Sequence, residues 1–181
     1  MRVEVINTGT ELLLGQVINT HVAYFGEQLV PLGLRIQRQV CIPDGDIIGS
    51  VLEESFDRAE VLLVTGGLGP TSDDVTRDVI ADLLGLEMKL DDGVADHMRK
   101  LFRRSGREMP ENNLCQAMVP VGAEVLENPF GTAPGLYFPE VEARNPHIFV
   151  MPGPPRELKP MFENVVLPKL REMVAAEVGS V

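Results

Sequence analysis

Strand-like runs rich in β-branched residues alternate with helix-like segments along this chain. The strand-like runs are Val3 to Ile6, Leu34 to Ile42, Val61 to Thr65, Glu124 to Glu127, Leu136 to Phe138 and His147 to Met151. The helix-like segments, in which apolar residues recur at helical spacing, are Asn19 to Gly33, Asp46 to Ala59, Asp74 to Leu84 and Asp91 to Ser105. Because parallel strands need crossover connections, usually helices, this alternation predicts an α/β fold with a mostly parallel sheet.

Composition limits the classes of protein that such a chain can belong to. The chain has 181 residues, 44% of them apolar and 24% charged, and we expect one globular domain over residues 1–181. A formal net charge of −11 argues against nucleic-acid binding, which needs a basic surface. The sequence has no apolar stretch typical of a signal or a membrane span, so we expect a cytoplasmic protein. Cys41 and Cys115 form no close pair, which predicts buried thiols.

A glycine-rich turn follows the third predicted strand, in the segment TGGLGPTSDD that runs from Thr65 to Asp74. Glycines let the backbone approach a ligand closely, and a helix starting near Ser72 directs unpaired N–H groups into the same space. The turn has neither the lysine of a Walker A loop nor the spacing of the dinucleotide-binding fingerprint. Ligands of open parallel sheets bind at the carboxyl ends of the strands, so the turn predicts a site for a phosphate-bearing small molecule.

Asp73 and Asp74 give this turn a conflict of charge. A carboxylate repels a phosphate about 4 Å away by about 1–4 kcal/mol, depending on the effective dielectric. A helix N-terminus attracts an anion by only about 0.3–1 kcal/mol, rising to about 2 kcal/mol in partly buried sites. A divalent cation held by the aspartates would reverse the repulsion, and we therefore predict a metal. The alternative is that Ser72, Asp73 and Asp74 only cap the helix.

Two other loops at strand ends carry candidate side chains. Glu11 follows the first strand, where the neighbouring third strand would bring it towards Asp73 and form an acidic cluster. The next residues, Leu12 to Leu14, are expected to be buried, so Glu11 has the alternative role of satisfying loop N–H groups. Arg156 follows the last strand and is placed to clamp a phosphate, with a rigid proline-rich turn as the alternative.

Several blocks in order resemble the N-terminal domain of the competence/damage-inducible CinA proteins, in the molybdopterin-binding MoaB/Mog-like superfamily. The blocks are Gly9 to Gln16 with Asn19-Thr20, Thr65 to Thr76, Gly106 to Met109 with Glu111 to Asn113, Gly131 to Gly135, and Pro152 to Pro155 with Glu157 to Met161. The resemblance implies a three-layer αβα sandwich, homo-oligomers, and divalent-metal-dependent hydrolysis of ADP-ribose to AMP and ribose 5-phosphate. His21 and Pro43 depart from the family pattern, and we expect no C-terminal deamidase domain.

The resemblance also implies roles for individual residues. Asp73 and Asp74 would hold magnesium, manganese or cobalt, and Glu11 would assist as a metal ligand or as the base that activates water. The expected ligand-binding residues are Thr10, Asn19, Thr65, Gly66, Gly67, Gly69, Thr71, Thr76, Asn128, Gly131, Thr132, Ala133, Pro152, Gly153 and Arg156. Two alternatives to hydrolysis remain: molybdopterin binding or adenylyl transfer in molybdenum cofactor metabolism, and a non-catalytic oligomerising domain.

Overall fold

The computed structural model of the protein describes residues 1–141 and 145–179. The strands are β1 (Arg2–Thr8), β2 (Arg35–Ile42), β3 (Val61–Thr65), β4 (Met88–Leu90), β5 (Met118–Pro120), β6 (Glu124–Leu126), β7 (Gly135–Phe138) and β8 (His147–Met151). The α-helices are α1 (Thr10–Leu13), α2 (His21–Leu29), α3 (Ile47–Phe56), α4 (Thr76–Leu84), α5 (Asp92–Arg104), α6 (Pro155–Met161) and α7 (Leu167–Gly179). The 3-10 helices are Val30–Leu32 and Glu111–Ala117, and a π-helix over Phe162–Val166 joins α6 to α7.

Six strands form the main sheet in the order β2-β1-β3-β8-β7-β6. Strands β2, β1, β3 and β8 are mutually parallel, while β7 and β6 form an antiparallel hairpin at one edge. The prediction of a mostly parallel sheet is therefore confirmed. Asn7 of β1 pairs with Thr65 of β3, and Thr65 pairs with Met151 of β8. This register brings three carboxyl ends to the same level, so the loops that follow them share one edge.

Helices cover both faces of the sheet and confirm the three-layer sandwich. On one face, the side chains of Leu62 and Val64 belong to a core cluster with residues of α3, α4 and α5. On the other face, Leu63 and Phe149 belong to a second cluster with residues of α2, α6 and α7. Successive residues of β3 thus alternate between two buried faces, as expected for a central strand covered by helices on both sides.

Several helix ends follow the sequence signals, with small shifts. Gly33 and Gly85 adopt left-handed conformations, with φ of 75° and 66°, and close the segments that contain α2 and α4. Helix α4 begins at Thr76 instead of Asp74, because Asp73 and Asp74 belong to the preceding turn. Helices in the described ranges are all too short or too polar to cross a bilayer.

Three elements between α4 and β6 were not predicted. Strands β4 and β5 form a separate antiparallel pair, with Lys89 opposite Val119. The 3-10 helix Glu111–Ala117 precedes β5, and its Gln116 donates a hydrogen bond to the carbonyl oxygen of Leu68, 3.0 Å away. This region thereby contacts the glycine-rich turn and supports one side of the candidate site.

Candidate functional site

A cavity of about 570 Å³ opens at the carboxyl ends of β1, β3 and β8. Its volume lies within the usual range for small-molecule sites. Among the residues predicted from sequence, its lining includes Glu11, Gly66, Gly67, Gly69, Asp74, Gly131, Thr132, Ala133, Pro152, Gly153 and Arg156. The predicted residues outside the lining are Thr10, Asn19, Thr65, Thr71, Asp73, Thr76 and Asn128. The loops after three adjacent strands therefore meet at one cavity.

The glycine-rich turn can have no side chain at two of its positions. Gly66 and Gly67 have φ of 98° and 66°, in the left-handed region that favours glycine. A Cβ on Gly66 would overlap the carbonyl oxygen of Thr8, and one on Gly67 would overlap the hydroxyl oxygen of Thr76. The Gly66 N–H donates to the carbonyl of Met151, and the Thr76 N–H donates to that of Gly67. The backbone of the turn is thus fixed against β8 and α4.

The main-chain N–H groups at the centre of the turn have no acceptor within residues 1–141 and 145–179. Neither backbone nor side-chain hydrogen bonds are made by the N–H groups of Gly67, Leu68 and Gly69 in this part of the chain. All three residues line the cavity. Buried or partly buried N–H groups require acceptors, so consecutive free donors at a cavity wall are suited to the oxygens of an anionic ligand.

Four carboxylates line the same cavity: Glu11, Asp44, Asp74 and Glu157. Asp74 accepts hydrogen bonds from the N–H and hydroxyl of Thr71, so it supports its own turn, whereas the N-cap of α4 is Val75 and no side chain caps this helix. Asp44, which the sequence analysis missed, accepts hydrogen bonds of 3.0 and 3.2 Å from the N–H and hydroxyl of Thr10. Asp44 follows the end of β2, and that position was the available signal.

No group of three or more acidic, histidine or cysteine side chains in the described ranges is arranged to hold a metal ion. The cavity therefore offers separate carboxylates instead of a preformed cage. Their oxygen donors suit Mg²⁺, which commonly binds one or two carboxylates and takes its other ligands from water and substrate phosphates. Glu11 and Asp74 fit that limited role, whereas Asp73 lies outside the lining and has the hydroxyl of Ser72 3.4 Å from its Oδ1.

A buried polar network lies beneath the cavity floor and includes two of the predicted residues. Asn7 donates from Nδ2 to the Thr65 hydroxyl (2.8 Å) and accepts from the amides of Asn19 (2.9 Å) and Gln39 (3.0 Å). The Thr65 hydroxyl is 3.0 Å from Nδ1 of His21, and its proton satisfies that nitrogen when Nδ1 accepts. Thr65 and Asn19 are therefore occupied in holding the strand ends together.

His21 connects this network to the loop after β8. Its buried ring lies beside the main chain of Gly153, which lines the cavity. Burial is the largest influence on the ring and lowers the pKa of His21; the Gly153 main chain opposes this change, and Lys159 adds a smaller lowering. The sequence analysis identified His21 only as a departure from the family pattern, because its partners come from distant strands.

The loop between β6 and β7 forms another side of the cavity. Asn128 donates from Nδ2 to the Ala133 carbonyl (2.8 Å) and to Oε2 of Glu157 (2.9 Å). Gly131 lies so close to the Glu157 carboxylate that a Cβ there would overlap Oε2. Arg156 is 81% exposed, with Nε 3.6 Å from Oε1 of Glu157. Asn128 is thus an anchor of the loop, and Arg156 pairs with Glu157 while most of its side chain stays exposed beside the cavity.

Two expectations about burial are wrong. Leu13 and Leu14, expected to be buried, are 54% and 65% exposed, because α1 is only four residues long and the chain turns at Gly15 immediately afterwards. Cys41 and Cys115 are free as expected but only half-buried. Cys41 lies on the edge strand β2, which is covered less completely than the central strands.

Comparison with known proteins agrees with this architecture. The sequence model of a family described as "probable molybdopterin binding domain" matches residues 4–172. A CinA-like protein of Akkermansia muciniphila is 47% identical over 98% of this chain, and a putative competence-damage inducible protein of Desulforamulus reducens is 42% identical over 96%. The chain spans 43% and 42% of the lengths of these two relatives.

Solved structures give the same result at the level of the fold. The CinA protein of Thermoplasma acidophilum superimposes with a TM-score of 0.80 at 28% identity, covering 91% of this chain and 96% of that one. The molybdopterin biosynthesis enzyme MoaB of Thermus thermophilus has the same fold, with a TM-score of 0.59 at 23% identity and coverage of 97% and 96%. From its fold, its family match and its relatives, this chain belongs to the molybdopterin-binding-domain family and, within it, to the CinA-like proteins.

Proposed function

We propose that this domain hydrolyses the diphosphate bond of a small nucleotide such as ADP-ribose, giving AMP and ribose 5-phosphate, with the help of a divalent metal. The observation that carries the proposal is the set of free N–H groups at Gly67, Leu68 and Gly69, which line the same cavity as the carboxylates of Glu11 and Asp74. The N–H groups suit phosphate oxygens, and the carboxylates suit a proton or a cation.

Different residues would bind the phosphates, accept the proton and hold the metal. The N–H groups from Gly67 to Gly69 hold one phosphate, and the exposed guanidinium of Arg156 reaches the second. Glu11 accepts a proton from the attacking water, whose oxygen bonds to phosphorus as the bridging P–O bond breaks and a phosphate monoester leaves. A bound magnesium, manganese or cobalt ion, held by Glu11 and Asp74, would offset the charge repulsion between the diphosphate and these carboxylates.

The test is release of AMP from ADP-ribose in the presence of magnesium, manganese or cobalt. Asp74→Asn should lower the turnover at least about 100-fold, because it removes a charge that the metal needs. The amide oxygen can still accept from the Thr71 N–H, so the turn should be retained, and a thermal melt checks this. Asp73→Asn is the matched control, since it makes the same charge change outside the cavity lining. Absence of AMP with every metal would refute the hydrolase.

A second candidate function is binding or adenylylation of molybdopterin. It is favoured by the description of the matching family and by the MoaB protein named above, which is titled a molybdopterin biosynthesis enzyme. Calorimetry with molybdopterin distinguishes the candidates, because a pterin-binding domain binds it without turning over ADP-ribose.

We propose in addition that the chain associates with copies of itself through the segment that follows Glu11. Leu13, Leu14, Val17 and Ile18 expose at least half of their surfaces within a few residues of one another. Grouped exposed apolar residues of this kind are typical of protein interfaces. Self-association is compatible with catalysis and would also be the main property of a non-catalytic domain.

A further inference from the structure

Phe130 is the one exposed aromatic side chain in residues 1–141 and 145–179, with 57% of its surface exposed. It lines the cavity from the loop between β6 and β7. Phe25, Phe138, Phe149 and Phe162 are by contrast completely or almost completely buried. An aromatic ring that stays in solvent at the wall of a ligand cavity needs an explanation.

The exposure of Phe130 is not the result of an unsupported loop. Its own N–H donates to Oδ1 of Asn128 (3.2 Å), and the amide of Asn128 is buried between the Ala133 carbonyl and Glu157. The carbonyl oxygen of Asn128 is in turn 3.0 Å from Nε2 of His97 on α5. The loop is held from both sides, so the ring is kept at the cavity wall by hydrogen bonds.

A second aromatic ring lines the same cavity. Phe102 is half-buried on α5, next to Leu101, which also belongs to the lining. In the described residues, neither Phe102 nor Phe130 makes a ring contact with another aromatic side chain. The exposed surface of Phe130 is therefore available to a flat ligand group, while the free N–H groups from Gly67 to Gly69 belong to another part of the same lining.

We infer that Phe130 is the stacking surface for the heteroaromatic base of a nucleotide whose phosphates bind at the glycine-rich turn. This inference rests on the proposed function for the phosphate end and adds the residue that selects the other end of the substrate. Aromatic side chains bind bases through their π faces, with little dependence on which base is present. Phe130 therefore favours nucleotides over sugar phosphates that lack a base.

Calorimetric titration tests the inference without requiring turnover. The probes are AMP, which has a base, and ribose 5-phosphate, which has the same sugar phosphate without one. Base stacking on an aromatic ring predicts that Phe130→Ala weakens AMP binding about 10-fold and leaves ribose 5-phosphate binding unchanged. Phe130→Trp should retain AMP binding. Val30→Ala is the matched control, because Val30 is a similarly exposed apolar residue outside the cavity lining.

The outcomes separate the two proposals. Equal affinity of Phe130→Ala and the unaltered protein for AMP would overturn the stacking surface, as would equal weakening of both probes. If Phe130→Ala, but not Val30→Ala, loses the preference of the unaltered protein for AMP over ribose 5-phosphate, the stacking surface is supported, whether or not ADP-ribose is hydrolysed. If the protein hydrolyses ADP-ribose and Phe130→Ala binds AMP as tightly as the unaltered protein, this inference is refuted and the proposed function stands.

Discussion

The loops that follow β1 and β3 border the same cavity but are built in opposite ways. The β3 loop folds onto its own neighbours: Gly66 and Gly67 lie against Thr8 and Thr76 with no space for a side chain. The β1 loop leaves its apolar side chains in solvent, and Ile18 is 84% exposed. The two strands pair directly in the sheet, so the difference arises in the loops and not in the strands that carry them.

This difference indicates that different contacts stabilise the conformations of the two loops. The β3 loop obtains its shape from contacts inside the domain, so it should keep that shape in the absence of a ligand or partner. The apolar surface of the β1 loop has no cover in the part of the chain that the structure describes, so we expect another molecule to cover it. Substitutions in each loop should accordingly affect different properties.

The largest effect on stability is expected from Gly67→Ala, which disrupts the internal packing of the β3 loop. A left-handed conformation costs a non-glycine residue about 1–2 kcal/mol, and overlap with the buried Thr76 hydroxyl adds about 1–3 kcal/mol. The free energy of unfolding should fall by about 2–5 kcal/mol in urea titrations. Gly153→Ala is the matched control from the same cavity, because its nearest neighbour, the Cα of Gly66, would be 3.9 Å from the new Cβ.

A double-mutant cycle separates the two causes in Gly67→Ala. The Thr76 hydroxyl oxygen is buried and has no hydrogen-bond partner in the described structure, so Thr76→Ala removes the overlapping atom without breaking a bond. The double variant should recover only part of the packing loss, because the Cβ of Thr76 also lies 2.9 Å from the position of the new Cβ, and it should retain the backbone strain. Equal stability of Gly67→Ala and Gly153→Ala would contradict the view that the β3 loop is fixed by its own packing.

A smaller effect is expected at His21, whose ring contacts Asn7 in β1 and Thr65 at the end of β3. Burial lowers the pKa of His21 in the folded state, so below the ordinary value of about 6.5 the unfolded chain binds more protons. Stability is then fully present above about pH 6.5 and decreases as the pH falls, by at most about 1.4 kcal/mol per pH unit. Unfolding measured at pH 7.5 and pH 5.5 should show a smaller difference in His21→Gln than in the unaltered protein.

His147 provides the control for this prediction. Burial also lowers its pKa, despite an opposing influence of Glu140, but it lies at the start of β8, away from the cavity. His147→Gln should reduce the pH dependence of unfolding and leave AMP binding unchanged. His21→Gln should reduce both, because the ring also lies beside the main chain of Gly153, which lines the cavity. Equal AMP affinities of His21→Gln and His147→Gln would show that His21 does not support the cavity wall.

The predictability of each region from sequence follows from how local its interactions are. The run from Val61 to Thr65 is apolar except at its end and lies between helix patterns, so the pattern identifies a central parallel strand. Strands β4 and β5 were missed because each has three residues and the pairing joins distant segments. Leu13 and Leu14 were misassigned because an apolar run predicts burial, whereas a helix of four residues cannot cover them.

The same reasoning applies to the candidate site. The rule that ligands bind at strand ends identified Glu11, Gly67 and Gly153 as candidates, and the structure brings all three to one cavity. The hydrogen bonds of Asn7 with Thr65 and His21 depend on tertiary packing, and spacing in the sequence carries no signal for them. The metal, the substrate and the roles of individual residues stay predictions until the assays above are made.

The smallest effect on folding and the clearest effect on assembly are expected at Ile18. Its side chain is almost fully exposed, so Ile18→Glu should change the free energy of unfolding by less than about 0.5 kcal/mol. If copies of the chain associate through the β1 loop, burying that carboxylate against the apolar residues of a second copy is unfavourable, and the oligomer should dissociate.

Light scattering on a sizing column measures this directly. Val30→Glu places the same charge at another exposed apolar residue, 64% exposed and outside the β1 loop, and should leave the molar mass unchanged. A monomeric unaltered protein would contradict self-association, and equal masses for the two variants would show that the contact lies elsewhere. A lower molar mass for Ile18→Glu alone would mean that a second copy of the chain covers the exposed β1 loop. The β3 loop on the other side of the cavity would need no such partner, because contacts within one chain hold it in place.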